Sequence, residues 1–218
     1  MPNKVLILDF GSQYTQLIAR RVRELNIFCE IYPYNSSKFI LNDYSAVILS
    51  GSPYSVRSKD ALKINLDKIK GAIPLLGICY GAQYLAHNYG GLVDLSNSRE
   101  YGRANLVSIS SESNLLDGIN QGSQVWMSHA DTIVKLPKNS VKIGSTSDVE
   151  NAAFSFQNEQ TYGIQFHPEV YHSTDGKLIL ENFLKKISKI EASWTPASFV
   201  DSAINSIREE INNDNVIL

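Results

Sequence analysis

Cysteine is scarce in this chain of 218 residues: Cys29 and Cys79 are the only two. Two thiols cannot build the disulfide framework of a small secreted fold, so a reducing cytoplasm is the expected setting. No apolar run approaches the ~18 residues that a membrane-spanning helix needs. The start, Met1-Pro2-Asn3-Lys4, passes straight into Val5-Leu6-Ile7-Leu8 without the pattern of a cleavable signal. Charge of either sign is in short excess, with 20 Lys+Arg against 22 Asp+Glu and a formal net charge of −2. That balance argues against a sequence-independent grip on nucleic acid or an anionic membrane. Neither an internal repeat nor a low-complexity tract is found. What is present is globular composition, 43% hydrophobic and 19% charged. It is enough for one large self-sufficient domain, or one domain and a fragment of another.

Short apolar runs alternate with helical patterns through the first part of the chain. Strands are expected at 5–8, 28–32, 46–50 and 75–78, and helices at 13–25, 59–70 and 80–89, the last closed by Gly90-Gly91. Continuous buried strands separated by helices mean βαβ units and a parallel sheet covered on both faces. From about Asn105 the texture changes to strand-like pieces at 106–109, 125–127, 141–143 and 153–156, split by polar turns. A buried strand at 163–166 and a long helix at 176–190 follow. Thr195-Pro196 then reads as a capped helix start. Val200, Ile204, Ile207 and Ile211 form an apolar stripe at helical spacing. Val216-Ile217-Leu218 reads as an opening strand, expected to be either an addition to the existing sheet or the entrance to a second domain.

One segment stands out chemically. In Gly77-Ile78-Cys79-Tyr80-Gly81, glycines flank a cysteine at two residues on each side, where a strand is expected to turn into a helix. This is the pattern of a strained nucleophile elbow, with sulfur in place of a serine hydroxyl. The glycines admit a sharp turn without Cβ clashes, and the helix N-terminus favours thiolate over thiol. Cys29, in Phe28-Cys29-Glu30-Ile31, has no such setting and is expected to be a core residue. A thiolate nucleophile needs a base and something to orient it. Phe166-His167-Pro168-Glu169, at the end of another expected strand, supplies both.

The remaining candidates are weaker on spacing alone. The backbone N–H of Tyr80 is an expected oxyanion donor, and Ser50-Gly51-Ser52-Pro53 could supply a second, although as a bare motif it is an ordinary turn. His129, in a polar turn Ser128-His129-Ala130-Asp131, and His172 could line a site; His87 is expected to be structural or exposed. Ligand spacing for a metal is lacking. Asp9-Phe10-Gly11 has none of the companion motifs of a kinase, and Arg20-Arg21-Val22-Arg23 reads as a solvated helix face.

Taken together, Gly77-Ile78-Cys79-Tyr80-Gly81-Ala82-Gln83 and Gln165-Phe166-His167-Pro168-Glu169-Val170 resemble the two signature motifs of class I (triad) glutamine amidotransferases. Leu8-Asp9-Phe10-Gly11-Ser12-Gln13-Tyr14, Ala19-Arg20-Arg21-Val22-Arg23-Glu24, Trp126-Met127-Ser128-His129 and His172-Ser173 narrow the resemblance to the glutaminase domains of GMP synthases. It covers about residues 4–190. The resemblance implies a three-layer α/β fold, a mostly parallel central sheet with helices on both faces plus a smaller antiparallel strand region. It implies a glutamine amidotransferase domain over 1–190, with 191–218 forming a linker helix and the first strand of an ATP pyrophosphatase domain. It assigns Cys79 as nucleophile, His167 as base and acid, Glu169 as orienter, and the N–H groups of Ser52 and Tyr80 as oxyanion donors. Gly51, Gln83, Ser128, His129, Ala130 and Asp131 are implied as contacts for L-glutamine.

No metal or cofactor is implied for the glutaminase. ATP and Mg2+, the acceptor XMP and a homodimer belong to the full-length enzyme, and neither nucleic acid nor membrane is an implied partner. Two positions depart from the family pattern: Ser52 where Gly-Gly-Pro is usual, and Ala130 where Ser-His-Gly-Asp is usual. A serine needing positive φ at 52 would cost more than glycine. A glutaminase or γ-glutamyl hydrolase of another pathway, or a non-catalytic module of the same fold, are the other readings open to the sequence.

Overall fold

A computed structural model describes residues 3–212 of the chain. Its strands are β1 (Lys4–Asp9), β2 (Phe28–Pro33), β3 (Ala46–Leu49), β4 (Leu75–Ile78), β5 (Leu92–Ile109), β6 (Gln124–Lys135), β7 (Ser140–Thr146), β8 (Ala153–Phe156) and β9 (Thr161–Ile164). The helices are α1 (Thr15–Glu24), α2 (Tyr80–Asn88), α3 (Gly176–Glu181) and α4 (Pro196–Ile211). Among the described residues the strands form one sheet in the order β2-β1-β3-β4-β9-β8-β7-β5-β6. The first five run parallel, and the pairs from β9–β8 to β5–β6 are antiparallel. The antiparallel strands therefore continue the parallel sheet, and β5 and β6 run out of it as a long ribbon.

Strand alternation builds a layer on each face. Val5, Ile7, Ala46, Ile48, Leu76 and Ile78 point into one core with Ile18, Ala19 and Val22 of α1 and with Ile179, Leu180 and Phe183. Leu6, Leu8, Val47, Leu49 and Leu75 point the other way, onto Tyr80, Tyr84 and Leu85 of α2. Both faces of the central strands are covered, which is why they read as unbroken apolar runs.

The helix expected at 59–70 does not form. Its backbone is claimed by α2 instead: Tyr84 Oη donates to the Ile64 carbonyl at 2.5 Å and accepts from the Ile64 N–H at 3.0 Å. Tyr80 Oη donates to the Leu62 carbonyl at 2.8 Å. Leu66 and Ile69 are buried in the second core from a short turn. The apolar spacing was that of a helix, but side-chain hydroxyls satisfy the polar groups a helix would have paired internally.

Further differences bear on the site. The turn expected at 128–131 is the middle of β6, where Ser128 faces Tyr101 and Asp131 faces Leu95 across a bulge in β5. The strand expected at 163–166 ends at Ile164, and the helix expected at 176–190 passes after α3 into a π-turn over Asn182–Ile187. The helix start at Thr195 carries a full capping box with Ser198, and Val200, Ile204 and Ile207 are exposed. The strand expected at 216–218 lies outside the described residues. Among the described residues, no helix is long and apolar enough to cross a membrane.

Phe183, in the turn that follows α3, is fully buried in the first core. Phe183→Ala should cost roughly 3–5 kcal/mol of unfolding free energy, read as a lowered urea midpoint.

Candidate active site

Three strand ends converge on one crevice. β4 ends at Ile78, and Cys79 follows in a conformation that side chains rarely adopt, φ 52° and ψ −106°, before α2 begins at Tyr80. Close packing forces the neighbouring glycines. A Cβ on Gly77 would lie 2.6 Å from the backbone of Gly81, and one on Gly81 would lie 2.7 Å from Leu49. The elbow thus folds back against its own first turn and against β3. The strain sits on the cysteine, the kind of outlier that clusters at reacting centres.

After β9 the chain bends through Gln165 and Phe166 to His167. The His167 N–H donates to the Trp126 carbonyl of β6 at 2.9 Å, and the His167 carbonyl accepts from Ser173 Oγ at 2.6 Å. Ser173 Oγ also accepts from the Trp126 N–H at 3.0 Å, locking the loop to the ribbon. His167 Nδ1 lies 2.7 Å from Glu169 Oε1, with 3% and 1% of the two side chains exposed. Tyr14, at the start of α1, sets its ring edge-on to the imidazole at a centroid distance of 5.0 Å.

Gly51, just past β3, is where sulfur and imidazole meet. A Cβ there would stand 3.3 Å from His167 Cε1 and 3.6 Å from Cys79 Cβ. A side chain at this place would crowd the imidazole against the sulfur. Cys79 Sγ itself lies 3.8 Å from the Ser128 carbonyl oxygen of β6.

The electrostatics follow from this geometry. Burial disfavours imidazolium at His167, yet the Glu169 carboxylate and the Cys79 sulfur, by charge and hydrogen bonding, hold its pKa well above 6.5. His129 goes the other way, lowered to about 4 by burial and by the neighbouring His167. Cys29, buried under α1 with its thiol directed at the Ala19 carbonyl, is pushed up to about 11, chiefly by burial. The two cysteines therefore divide into an inert core thiol and one facing an imidazole.

The crevice opens into a cavity of about 530 Å³, of the size that holds small-molecule ligands. Ser52, Gln83, Ser128, His129, Ala130, Asp131 and His167 all line it. Tyr80, as first residue of α2, has no acceptor within its helix for its N–H. Ser52 is not among the described residues with positive φ, so its side chain brings no backbone strain in this conformation. Ala130 lies within β6. Gln83 Nε2 donates to the Asp131 carbonyl at 2.7 Å, bracing the ribbon against α2.

The arginines of α1 carried no sequence signal of the partners that they find. Arg21, expected on a solvated face, donates from Nε to the Glu169 carbonyl at 3.0 Å, and Arg23 reaches the Cys29 carbonyl at 3.3 Å. Only Arg20 of the three is broadly exposed. His172 stacks on Trp126 at 4.4 Å, outside the main cavity, and His87 is exposed. Among the described residues, no group of three or more His, Cys, Asp or Glu is placed to hold a metal ion.

The family profile for glutamine amidotransferase class-I matches residues 6–187. The chain belongs to the class I glutamine amidotransferases. It is 59% identical over 218 residues to GMP synthase [glutamine-hydrolyzing] of Christiangramia forsetii, and 58% identical to the enzyme of that name from Flavobacterium psychrophilum. Each alignment takes in all of this chain and 43% of the relative, so the amidotransferase described here spans under half the length of these relatives. A solved Thermoplasma acidophilum protein, provisionally named as one of the subunits of a GMP synthase, superposes with a TM-score of 0.74 at 28% identity, covering 87% of this chain and 98% of its own. A Thermotoga maritima glutamine amidotransferase shares the fold at 23% identity and a TM-score of 0.65, covering 88% and 87%.

Removing the carboxylate removes the main opposite charge acting on the imidazole. In Glu169→Gln, the His167 pKa should fall toward its ordinary 6.5, followed by imidazole NMR shifts against pH. In the same spectra His129 should stay neutral and fail to titrate between about pH 5.5 and 8.

Proposed function

We propose that this amidotransferase domain hydrolyses L-glutamine to glutamate and ammonia through a Cys79 thioester. The observation that carries the reading is the meeting of Cys79, His167 and Glu169 in one buried crevice. The raised pKa of His167 favours imidazolium beside sulfur, so a proton is at hand for a leaving amide nitrogen.

Sulfur attacks the side-chain amide carbon of glutamine, and the developing oxyanion accepts from the N–H groups of Ser52 and Tyr80. Imidazolium passes its proton to the amide nitrogen, the C–N bond breaks, and ammonia leaves behind a γ-glutamyl thioester. The now neutral imidazole takes a proton from water as its oxygen adds to the thioester carbon. Collapse expels the thiolate, releases glutamate and restores the imidazolium. Glu169 keeps Nδ1 protonated and directed inward throughout, leaving the other ring nitrogen to exchange protons. Gln83 and the stretch 128–131 shape the cavity around the amino-acid end of the substrate, and Gly51 backs the reacting groups beside His167 and Cys79.

In the longer relatives the ammonia has a use that their name states, the synthesis of GMP. By that likeness, this domain is the ammonia-producing half of such an enzyme, its product aminating XMP in an ATP pyrophosphatase portion. Residues 191–218 would be the linker to that portion, and the whole would act as a homodimer. ATP and Mg2+ would be held by that other portion, and no step at Cys79 involves them.

Cys79→Ala should abolish ammonia release from glutamine while leaving the urea midpoint close to that of the parent. Undiminished release would refute the assignment. Ammonia release that rises on adding the synthetase portion of a close relative supports the GMP reading, and a rate indifferent to it would remove that reading.

A further inference from the structure

The loop that carries Ser52 also carries, five residues on, a side chain with no place in the triad or the cavity wall. Arg57 is exposed along one side, and its guanidinium spans two carboxylates on the two strands of the ribbon. Its Nη1 lies 3.3 Å from Asp131 Oδ1 on β6, and its Nη2 lies 3.0 Å from Asp94 Oδ1 on β5. Asp131 is almost wholly buried. Its other oxygen accepts from the hydroxyl of Ser55, on the same loop. Ser55 Oγ in turn accepts from the Arg57 N–H at 3.1 Å, and Ser52 Oγ accepts from the Tyr54 N–H at 3.2 Å. The far side of the ribbon is anchored too, since Gln83 of the nucleophile helix holds the Asp131 carbonyl. A chain of contacts therefore runs from α2 through Asp131 to Ser55 and Arg57, and along the loop to Ser52.

Physical reasoning says what such a chain can do. Residues 51–57 have no strand or helix of their own, and the loop backbone is held at one end by β3. An oxyanion donor works only if it is already aimed when charge develops, and a loose loop must pay to order it on every turnover. A planar guanidinium forked between two carboxylates fixes direction as well as distance, which a point charge does not. With Asp94 and Arg57 both substantially exposed, the pairing adds little to global stability. Its effect is local.

We propose that Arg57 is a positioning residue: with Ser55 it latches the oxyanion loop onto Asp131 and Asp94, fixing the Ser52 N–H over Cys79. The proposal rests on the glutaminase reading for its kinetic consequence, but the latch itself is a statement about the loop. Arg57 touches no reacting atom. It acts through the loop that carries it.

The test uses the whole chain with Arg57→Ala, Arg57→Lys and Asp94→Asn, each checked for an unchanged urea midpoint. Arg57→Ala should lower kcat for glutamine hydrolysis by roughly tenfold, less than the 10²–10³ of a deleted oxyanion donor, with KM moved by no more than about twofold. Arg57→Lys and Asp94→Asn should lose less, since each keeps one of the two pairings. Alkylation of Cys79 by iodoacetamide, a displacement that creates no oxyanion, should proceed at the parental rate in all three. Amide hydrogen exchange at residues 51–57 should quicken in Arg57→Ala while β4 and α2 stay protected.

Unchanged kcat in Arg57→Ala, a rise in KM alone, or an equal loss in alkylation would overturn the proposal, pointing respectively to an idle pair, a grip on substrate, or damage to the thiol. If the parent chain releases no ammonia, the glutaminase reading falls, and exchange then decides the latch alone. Unaltered exchange at 51–57 would end it.

Discussion

A hydrogen bond of 2.7 Å between an imidazole and a carboxylate, almost without exposure to water, is the constraint around which this molecule is arranged. Neither group could be buried alone at tolerable cost. Together, and with sulfur beyond them, they hold the imidazole protonated, a state it would lose if buried alone. The fold keeps that set dry and fixed. Ser173 ties the backbone of His167 to β6, Tyr14 edges against the ring, and Arg21 holds the carbonyl of Glu169 from α1. These contacts come from α1, from β6 and from the loop after His167 itself, so the orientation of the imidazole depends on segments distant in sequence. The site lies where ligands of parallel sheets are expected, beyond the strand ends.

The second constraint is proximity of backbones. Gly77 and Gly81 admit each other and Leu49 at distances that any side chain would forbid, and Gly51 leaves room for imidazole and sulfur to face one another. These three positions set the distance between β3, the elbow and the histidine loop. The unusual φ and ψ belong to Cys79, while the glycines supply space. The departures from the family pattern fall where that space is less demanding: Ser52 keeps negative φ and Ala130 sits in an ordinary strand.

Much of the architecture was legible because its causes are local. Unbroken apolar runs marked β1, β3 and β4, the glycine-flanked cysteine marked the elbow, and Thr195-Pro196 marked the start of α4. The misreadings share one cause, competition from partners distant in sequence. The 59–70 segment has helical spacing, but the hydroxyls of Tyr80 and Tyr84 take its backbone groups. Ser128-His129-Ala130-Asp131 has turn composition, but pairing with β5 draws it into a strand. Arg21 and Arg23 sit on a polar helix face, yet their long stems carry the guanidinium groups to buried carbonyls.

The sequence by itself determined the identities that chemistry requires: a thiol at a strand-to-helix turn, an imidazole and a carboxylate two residues apart, and glycines where backbones must touch. Those are properties of short segments, and short segments print them. Only the tertiary structure decided that the segments share one crevice, that the imidazole is held protonated while its neighbour His129 is held neutral, and that Ser55 and Arg57 clasp the ribbon. Charge states depend on burial and on what stands opposite, and neither exists until distant strands are laid side by side.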